Sequence, residues 1–320
     1  MRYETQHADA DLDRWIATLG QHDSVAEAIL EIGVPRETIA DNIRRRRGKT
    51  LGECLRVPKI RRKIAEPKPG ALTKLLICPD VHLPYQDPVA WETFLTVARE
   101  WQPDVLVMLG DIVDMYQVSR HPKDPLRRLT FQDEVAIANR ELNRLSALKI
   151  PRTVVCEGNH ETRLQRWLVD QAPQLVGMVD VRDLLQIDRR NWEWHPYGTH
   201  TRIGKLHFAH DIGHAGVYAA RQSSMAFGHN IIFGHTHRAQ AHYESTVTGE
   251  RFVAWTMGWL GDPEAIDYMH RAKVTRNSQH GFGVAHLDGE GNGWVHFVPV
   301  IRGAAVVDGK MYRGTAAEAA

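Results

Sequence analysis

Residues 72–114 read LTKLLICPDVHLPYQDPVAWETFLTVAREWQPDVLVMLGDIVD and contain the pattern that predicts the fold class. A short apolar run from Leu75 to Cys78 predicts a buried strand, and a second one follows from Val105 to Leu109. Between them, Val89 to Trp101 has the apolar spacing of an amphipathic helix. A strand, a helix and a strand of these lengths predict a layered α/β arrangement.

The same alternation continues to about residue 172, after which strands dominate. Further helices are predicted at residues 131–148, 163–172 and 216–227, and further strands at residues 153–156, 205–209, 230–233, 252–256, 283–287 and 294–300. We therefore expect an α/β fold in which two packed mixed β-sheets are flanked by helices, an α/β/β/α sandwich.

A small basic helical module is predicted for residues 1–66. Ser24 and Glu27 form a capping-box pattern, residues 33–35 interrupt the helix, and Ile39 and Ile43 give the next helix an apolar stripe. Two short helices joined by a glycine-containing turn resemble a helix-turn-helix, which predicts DNA binding. A plain helical hairpin or an oligomerisation arm is the alternative.

Charge is unevenly distributed along the chain. The net charge is +1, whereas residues 36–63 contain 11 Lys or Arg against 3 Asp or Glu, a local +8. A basic element on an otherwise acidic chain favours a polyanionic partner, so we expect nucleic acid to bind the Arg36–Lys63 region. A solvated basic linker would have the same composition.

Two prolines mark the boundary after this module. Pro67 and Pro69 predict a linker at residues 67–71, because proline disfavours helix in the residue before it. The α/β domain is then expected over residues 72–302, with a C-terminal tail at residues 303–320.

Composition also indicates the compartment. The sequence shows no apolar run long enough to span a membrane and no secretory signal. Cys54, Cys78 and Cys156 are too few and too far apart for a disulfide framework or a zinc ribbon. A reducing, cytoplasmic location is therefore expected.

Five short motifs follow predicted strands and are rich in metal-binding residue types. They are Asp80-Val81-His82, Gly110-Asp111 with Asp114, Gly158-Asn159-His160-Glu161, His210 and Gly234-His235-Thr236-His237. Ligands gather at the carboxyl ends of parallel strands, so five such motifs in register predict a metal centre where one alone would not. Their carboxylate, amide and imidazole groups suit Mn, Fe or Zn, and the sequence does not choose among these.

The motifs DVH, GDIVD, GNHE, AHD and GHTH, in this order, resemble the calcineurin-like metallophosphoesterase superfamily over about residues 72–302. The resemblance implies two divalent metal ions. One would bind Asp80, His82 and His237, the other would bind Asn159, His210 and His235, and Asp111 would bridge both. It also implies that a metal-bridging hydroxide attacks a phosphoester, with His160 assisting the leaving group and Asp114 orienting His160.

Some details depart from this pattern or remain open. Met115-Tyr116 stands where Ser/Thr phosphoprotein phosphatases have Arg-Gly, which weighs against a protein phosphatase. Asp114 also fits a helix N-cap, and Gly158 is expected to permit a tight turn beside Asn159. The segments 256–263 and 279–289 resemble phage- and prophage-encoded members of the superfamily.

Three functions are compatible with these features. The leading hypothesis is a two-metal phosphodiesterase or nuclease acting on nucleic acid. The alternative is a phosphomonoesterase or cyclic-nucleotide phosphodiesterase whose N-terminal module serves oligomerisation. The third is a non-catalytic DNA-binding protein with a structural metal centre.

Several other side chains have two interpretations each. Arg163 and Arg238 follow metal motifs and would either contact substrate phosphate or form surface salt bridges. Four tryptophans would either stack on bases or pack in the core, and they are Trp192, Trp194, Trp255 and Trp259.

Overall fold

The computed structural model describes residues 9–21, 25–47, 54, 72–124, 127–266 and 277–314. The chain divides into two compact units, Met1–Lys63 and Ile64–Ala320. The predicted linker and the predicted Ser24 cap lie outside the described residues, and the predicted domain boundaries stay predictions. Among the helices that are described, we find no segment with the length and apolarity of a membrane span.

The described part of the smaller unit contains the helices α1 (Asp9–Leu19), α2 (Val25–Ile32) and α3 (Arg36–Arg47). Gly33 ends α2 with a positive φ of 69°, and its N–H donates to the carbonyl oxygen of Ile29 at 3.0 Å. Glycine adopts this left-handed conformation without steric cost, so a short turn can lead into α3. The predicted pair of helices is therefore confirmed. The buried core of the smaller unit includes Leu12, Trp15, Leu19, Ile39 and Ile43.

The larger unit is built from alternating strands and helices. Its helices are α4 (Pro88–Trp101), α5 (Phe131–Ala147), α6 (Thr162–Gln171), α7 (Val181–Leu184) and α8 (Ala219–Phe227). Its strands are β1 (Thr73–Cys78), β2 (Val105–Met108), β3 (Arg152–Cys156), β4 (Glu193–His195), β5 (Thr201–Ile203), β6 (Leu206–Ala209), β7 (Ile231–Phe233), β8 (Ala239–Ser245), β9 (Arg251–Met257), β10 (Gly281–Leu287), β11 (Gly293–Pro299), β12 (Ala304–Val307) and β13 (Lys310–Arg313). Short 3-10 helices lie at Tyr116–Val118 and Pro173–Leu175.

Two mixed sheets form the centre of this unit. The first has the order β11-β10-β1-β2-β3-β4. Strands β1 to β4 are parallel, and β10 pairs antiparallel with both of its neighbours, β1 and β11. The second has the order β5-β6-β7-β9-β8, with β6, β7 and β9 parallel. Side chains of both sheets share one buried cluster, which includes Ile77 and Val107 from the first and Phe208 and Ile232 from the second. The predicted sandwich of two mixed sheets is confirmed.

Helices cover the outer faces of the sheets. Phe94 of α4 and Leu142 of α5 pack in one cluster with Leu106 of β2, and Ala219 of α8 packs with Phe233 of β7. Burying each large apolar side chain contributes about 1.5–3 kcal/mol, so these contacts hold the layers together. The helices thereby fix the positions at which the central strands end.

A hairpin replaces most of the predicted C-terminal tail. Strands β12 and β13 pair antiparallel, and Ala305, Val307 and Tyr312 are buried beside α4. Trp101 at the end of α4 also donates from Nε1 to Asp308 Oδ2 at 2.7 Å. Residues 304–313 of the predicted tail therefore form a hairpin whose burial comes from packing on α4, and the boundary at residue 303 stays a prediction. Residues 315–320 lie outside the described part of the chain.

Candidate active site

The five predicted metal motifs meet at one edge of the two sheets. Motifs one to three follow β1, β2 and β3 of the first sheet, and motifs four and five follow β6 and β7 of the second. Direct contacts join them across the sheets, since the backbone N–H of His235 donates to Asp80 Oδ1 at 3.1 Å. The structure therefore brings together residues separated by 155 positions in the sequence.

The first group consists of Asp80, His82 and His237, whose ligand atoms all lie within 4.8 Å of one another. His82 Nε2 lies 3.1 Å from His237 Nε2, which in turn lies 3.2 Å from Asp80 Oδ2. Asp80 is fully buried, and His237 Nε2 is close to its Oδ2 without the alignment of a good hydrogen bond. A buried carboxylate oxygen without a well-aligned donor is costly, so its chemistry fits a bound cation.

The second group combines Asn159, His210 and His235 with Asp111. Asn159 Oδ1 lies 2.9 Å from His210 Nε2 and 2.8 Å from His235 Nδ1, and Asp111 Oδ2 lies 3.4 Å from His210 Nε2. His210 Nδ1 lies 2.9 Å from the carbonyl oxygen of Leu109 and therefore carries the proton of the neutral ring. In a neutral ring, His210 Nε2 then offers its lone pair beside the oxygen atoms of Asn159 and Asp111. Nitrogen and oxygen donors gathered in this way fit a metal ion.

Asp111 belongs to the second group, and its position as a bridge between two ions stays a prediction. Its Oδ1 accepts the backbone N–H of His160 at 2.8 Å. Burial raises the pKa of Asp111, but the nearby His160, His210 and His82 outweigh that effect, and the net direction is downward. The carboxylate is therefore ionised and ready to bind a cation.

Asp114 contacts two imidazoles. Its Oδ1 lies 3.1 Å from His160 Nδ1 and 3.2 Å from His82 Nδ1, and the side chain is almost completely buried. The alternative interpretation of Asp114 as a helix N-cap is wrong, because Met115 occupies the N-cap position of the 3-10 helix Tyr116–Val118 and makes no side-chain cap. The carboxylate instead fixes the orientation of both rings.

His160 is held between Asp114 and Arg163. Its Nδ1 also lies 3.0 Å from the carbonyl oxygen of Asp114, and its Nε2 lies 2.8 Å from Arg163 Nη2 and 3.7 Å from Asp111 Oδ2. Burial lowers the pKa of His160, but the carboxylates of Asp111 and Asp114 outweigh it, and the net direction is upward. His160 therefore presents Nε2 toward the predicted metal ligands, with Arg163 as the neighbour of that atom.

Backbone strain is concentrated in these loops. His82, Asp111, Met115, His235 and His237 all have left-handed backbones, with φ between 47° and 63°. Each such residue costs on the order of 1 kcal/mol and persists only where the surrounding structure requires it. The sandwich thus holds the ligand loops in geometries that isolated loops would leave.

The glycines act by close approach more than by turn geometry. A Cβ at Gly158 would lie 2.2 Å from the backbone nitrogen of Asp111, and one at Gly234 would lie 2.3 Å from Asp80 Oδ1. Gly110 has φ +97° and packs against Gly158. The requirement for glycine at position 158 is therefore not the tight turn that we expected. A side chain there would collide with the neighbouring loop, because the two loops touch through their backbones.

The role of Glu161 is visible only in the structure. This residue is 1% exposed, and its carboxylate accepts the backbone N–H groups of Asp111, Ile112, Val113 and Gly158 at 2.9, 2.7, 3.1 and 2.7 Å. One side chain thereby ties the second motif to the third. The only signal in the sequence was its place in the motif GNHE, since no local pattern shows which amides it meets.

Three of the four tryptophans considered for base stacking are buried and offer no free face. Trp192, Trp255 and Trp259 are 8%, 8% and 1% exposed. Trp259 stacks on His237, with ring centroids 4.5 Å apart and planes 13° apart, and on its other neighbour His280 at 5.9 Å. The core interpretation is therefore confirmed for these three, and Trp259 packs against His237, a predicted metal ligand.

A family model described as calcineurin-like phosphoesterase matches residues 73–239, which contain every motif residue of both groups. The chain belongs to the calcineurin-like phosphoesterase family. It is thus a metal-dependent phosphoesterase, a hydrolase whose clustered histidines and carboxylates could hold divalent metal ions.

Two phage proteins are similar to this phosphoesterase. The Gene 54 protein of Mycobacterium phage L5 is 28% identical over 257 residues, which cover 75% of this chain and 98% of the relative. The Gene 54 protein of Mycobacterium phage D29 is 28% identical over 256 residues, with coverage of 75% and 98%. The likeness to phage members that the sequence predicted is confirmed.

Two solved structures show weaker likeness. Yfce, a phosphoesterase from E. coli, is 17% identical with a TM-score of 0.35 and covers 67% of this chain and 88% of its own. Vps29 from Entamoeba histolytica is 13% identical with a TM-score of 0.38, covering 74% and 95%.

Proposed function

We propose that this phosphoesterase is a two-metal phosphodiesterase acting on nucleic acid. Asp80, His82 and His237 would hold one ion, Asn159, His210 and His235 would hold the other, and Asp111 would be shared. The observation that carries the proposal is the close approach of three donor atoms: Asn159 Oδ1 lies 2.9 Å from His210 Nε2, which lies 3.4 Å from Asp111 Oδ2. Bound divalent ions would supply a hydroxide nucleophile near neutral pH and would neutralise phosphoryl charge, and the nitrogen and oxygen ligands would suit Mn, Fe or Zn.

The protein's own groups then act on the leaving group. Hydrolysis breaks the bond between phosphorus and the leaving oxygen and forms a bond between phosphorus and a water oxygen. The leaving oxygen takes a proton from His160 Nε2, the attacking water gives a proton to solvent, and His160 regains its proton from solvent. Asp114, 3.1 Å from His160 Nδ1, keeps the ring oriented and stabilises its charged form.

The basic helix α3 supports a nucleic-acid substrate. Its last turn contains four consecutive arginines, Arg44 to Arg47, all exposed. Arg45, Arg46 and Arg47 form ion pairs with aspartates of the same unit, at 3.0, 2.5 and 2.9 Å. Exposed ion pairs contribute only about 0–1 kcal/mol each, so phosphate groups can displace these aspartates.

A comparison of two chromogenic substrates tests the diesterase. We expect the Mn²⁺-loaded protein to hydrolyse bis-p-nitrophenyl phosphate with a higher kcat/KM than p-nitrophenyl phosphate. A strong preference for the monoester would contradict the diesterase and favour the monoesterase. Absence of hydrolysis of both, in protein with full metal content, would contradict the enzyme proposal.

A salt titration of the full chain tests the binding of DNA. We expect the logarithm of the binding constant to fall linearly with the logarithm of salt concentration, and loss of two phosphate contacts to reduce the slope by about 1.5. The variant is the double substitution Arg44→Ala and Arg45→Ala. Its control is Arg14→Ala, which removes an exposed arginine from α1. Absence of binding by the wild type at low salt would contradict the proposal.

One observation favours the alternative use of the smaller unit. Leu30 on α2 is 83% exposed, which suits a contact with a second copy of the chain. If this unit serves oligomerisation, light scattering will show an oligomer that Leu30→Lys dissociates, and the Arg44→Ala and Arg45→Ala substitutions will leave DNA retention unchanged.

A further inference from the structure

We propose that Arg163 binds the phosphoryl group of the substrate, and that it leaves His160 Nε2 in order to do so. The inference rests on the proposed function and names a residue that this function does not require. In the structure, Arg163 Nη2 lies 2.8 Å from His160 Nε2, and Nη1 donates to the carbonyl oxygen of Asp114 at 2.7 Å.

This contact fixes the protonation pattern of His160. A guanidinium group has donors and no acceptor, so His160 Nε2 must accept the hydrogen bond from Arg163. The proton of the neutral ring then lies on Nδ1, between the two oxygens of Asp114 at 3.0 and 3.1 Å. In this arrangement His160 Nε2 has no proton to give.

The leaving group and Arg163 therefore compete for one atom. His160 Nε2 lies 3.7 Å from Asp111 Oδ2, so it faces the place where the phosphoryl group must lie between the metal-binding residues. Arg163 at 2.8 Å occupies the approach to that nitrogen. A substrate can reach His160 only if the guanidinium moves, and its new partner must be an acceptor close by.

The phosphoryl group is that acceptor. Arginine forms a planar fork that matches phosphate oxygens, and its remaining carboxylate neighbour, Asp114 Oδ2, is 3.7 Å away. The Arg163 side chain is 14% exposed, so it reaches the cleft while its stem stays anchored at the start of α6. When the guanidinium of Arg163 moves from the imidazole of His160 to a phosphate oxygen, it exchanges a neutral acceptor for a charged one. Substrate binding thereby frees His160 Nε2, which takes a proton from solvent and passes it to the leaving oxygen.

The experiment compares the variants Arg163→Ala and Arg163→Lys with a control, Arg182→Ala, which removes an exposed arginine paired with Asp188. Metal content and circular dichroism are measured first. Hydrolysis of bis-p-nitrophenyl phosphate and of diphenyl phosphate is then followed, because phenolate is the poorer leaving group. Binding of inorganic phosphate to the Mn²⁺-loaded protein is measured by calorimetry and does not depend on turnover.

We expect Arg163→Ala to weaken phosphate binding about tenfold or more, and to lower kcat/KM by a similar factor for both diesters. Guanidinium ion at tens of millimolar should restore part of the activity, and Arg163→Lys should retain part of it. The control should match the wild type.

Two results would overturn the proposal. If phosphate binding is unchanged and kcat/KM falls mainly for diphenyl phosphate, Arg163 acts only by holding His160. If neither quantity changes, the contact is structural. A wild type that binds phosphate, with Arg163 required, but cleaves neither diester would contradict the proposed function and leave this inference intact.

Discussion

Replacing Glu161 by glutamine should cost more stability than any other isosteric change near the site. Each carboxylate oxygen of Glu161 accepts two backbone N–H groups, and the side chain is 1% exposed. An amide has a single oxygen, so its NH₂ group would face two N–H donors and leave both unsatisfied. Hydrogen bonds to a charged group contribute about 1.5–3 kcal/mol each, which gives a loss of about 3–6 kcal/mol.

This loss is a large fraction of the roughly 5–15 kcal/mol that stabilises a folded domain. It also acts on the metal centre, because Glu161 holds the amide of Asp111, whose φ of 47° the loop would not keep alone. We therefore expect the Glu161→Gln variant to unfold at a lower urea concentration and to contain less metal than the wild type.

The assay is urea unfolding of metal-free protein, followed by metal analysis of refolded samples. Glu157→Gln is the matched control, since the side chain of Glu157 holds one backbone N–H, that of Tyr197 at 2.9 Å, and should lose about 1 kcal/mol or less. If the Glu161 and Glu157 variants lose equal stability, the four hydrogen bonds do not hold the loops and the reasoning is refuted.

The remaining predictions concern His160 and Glu134. His160→Ala should lower kcat by about 10²–10⁴-fold while metal content measured by elemental analysis stays near that of the wild type, and loss of metal would instead identify His160 as a ligand. Glu134 is 1% exposed, its Oε2 has no hydrogen-bond partner, and burial together with Asp114 raises its pKa to about 7 from 4.5. Because the pKa of Glu134 is higher in the folded than in the unfolded state, its protonation stabilises the fold below pH 4.5. This contribution to the free energy of unfolding, about 3 kcal/mol, is lost as the pH rises through 7. In thermal unfolding of metal-free protein, the stability of the Glu134→Gln variant relative to the wild type should therefore increase between pH 5 and pH 8. Parallel pH profiles of the two melting temperatures would contradict this.

The sequence was most informative where its pattern is local. The period and length of the apolar runs predicted β1, α4 and β2, because the buried face of a strand or helix is visible in the spacing of its own apolar residues. Strand β8 was missed, since its side chains alternate between half-buried and exposed and lack a strong apolar face. The hairpin of β12 and β13 was missed for a related reason, because its burial comes from α4.

Sequence alone determined the two mixed sheets, the order of the five motifs and the types of ligand at each strand end, because strand ends in parallel layers converge whatever the details of packing. Only the tertiary structure decided how those ligands are held. Glu161 meets the amide of Asp111 across 50 positions of sequence, and Arg163 meets the carbonyl oxygen of Asp114 across 49. Such contacts depend on the distance and direction between atoms of different loops, and no periodicity within one segment records them.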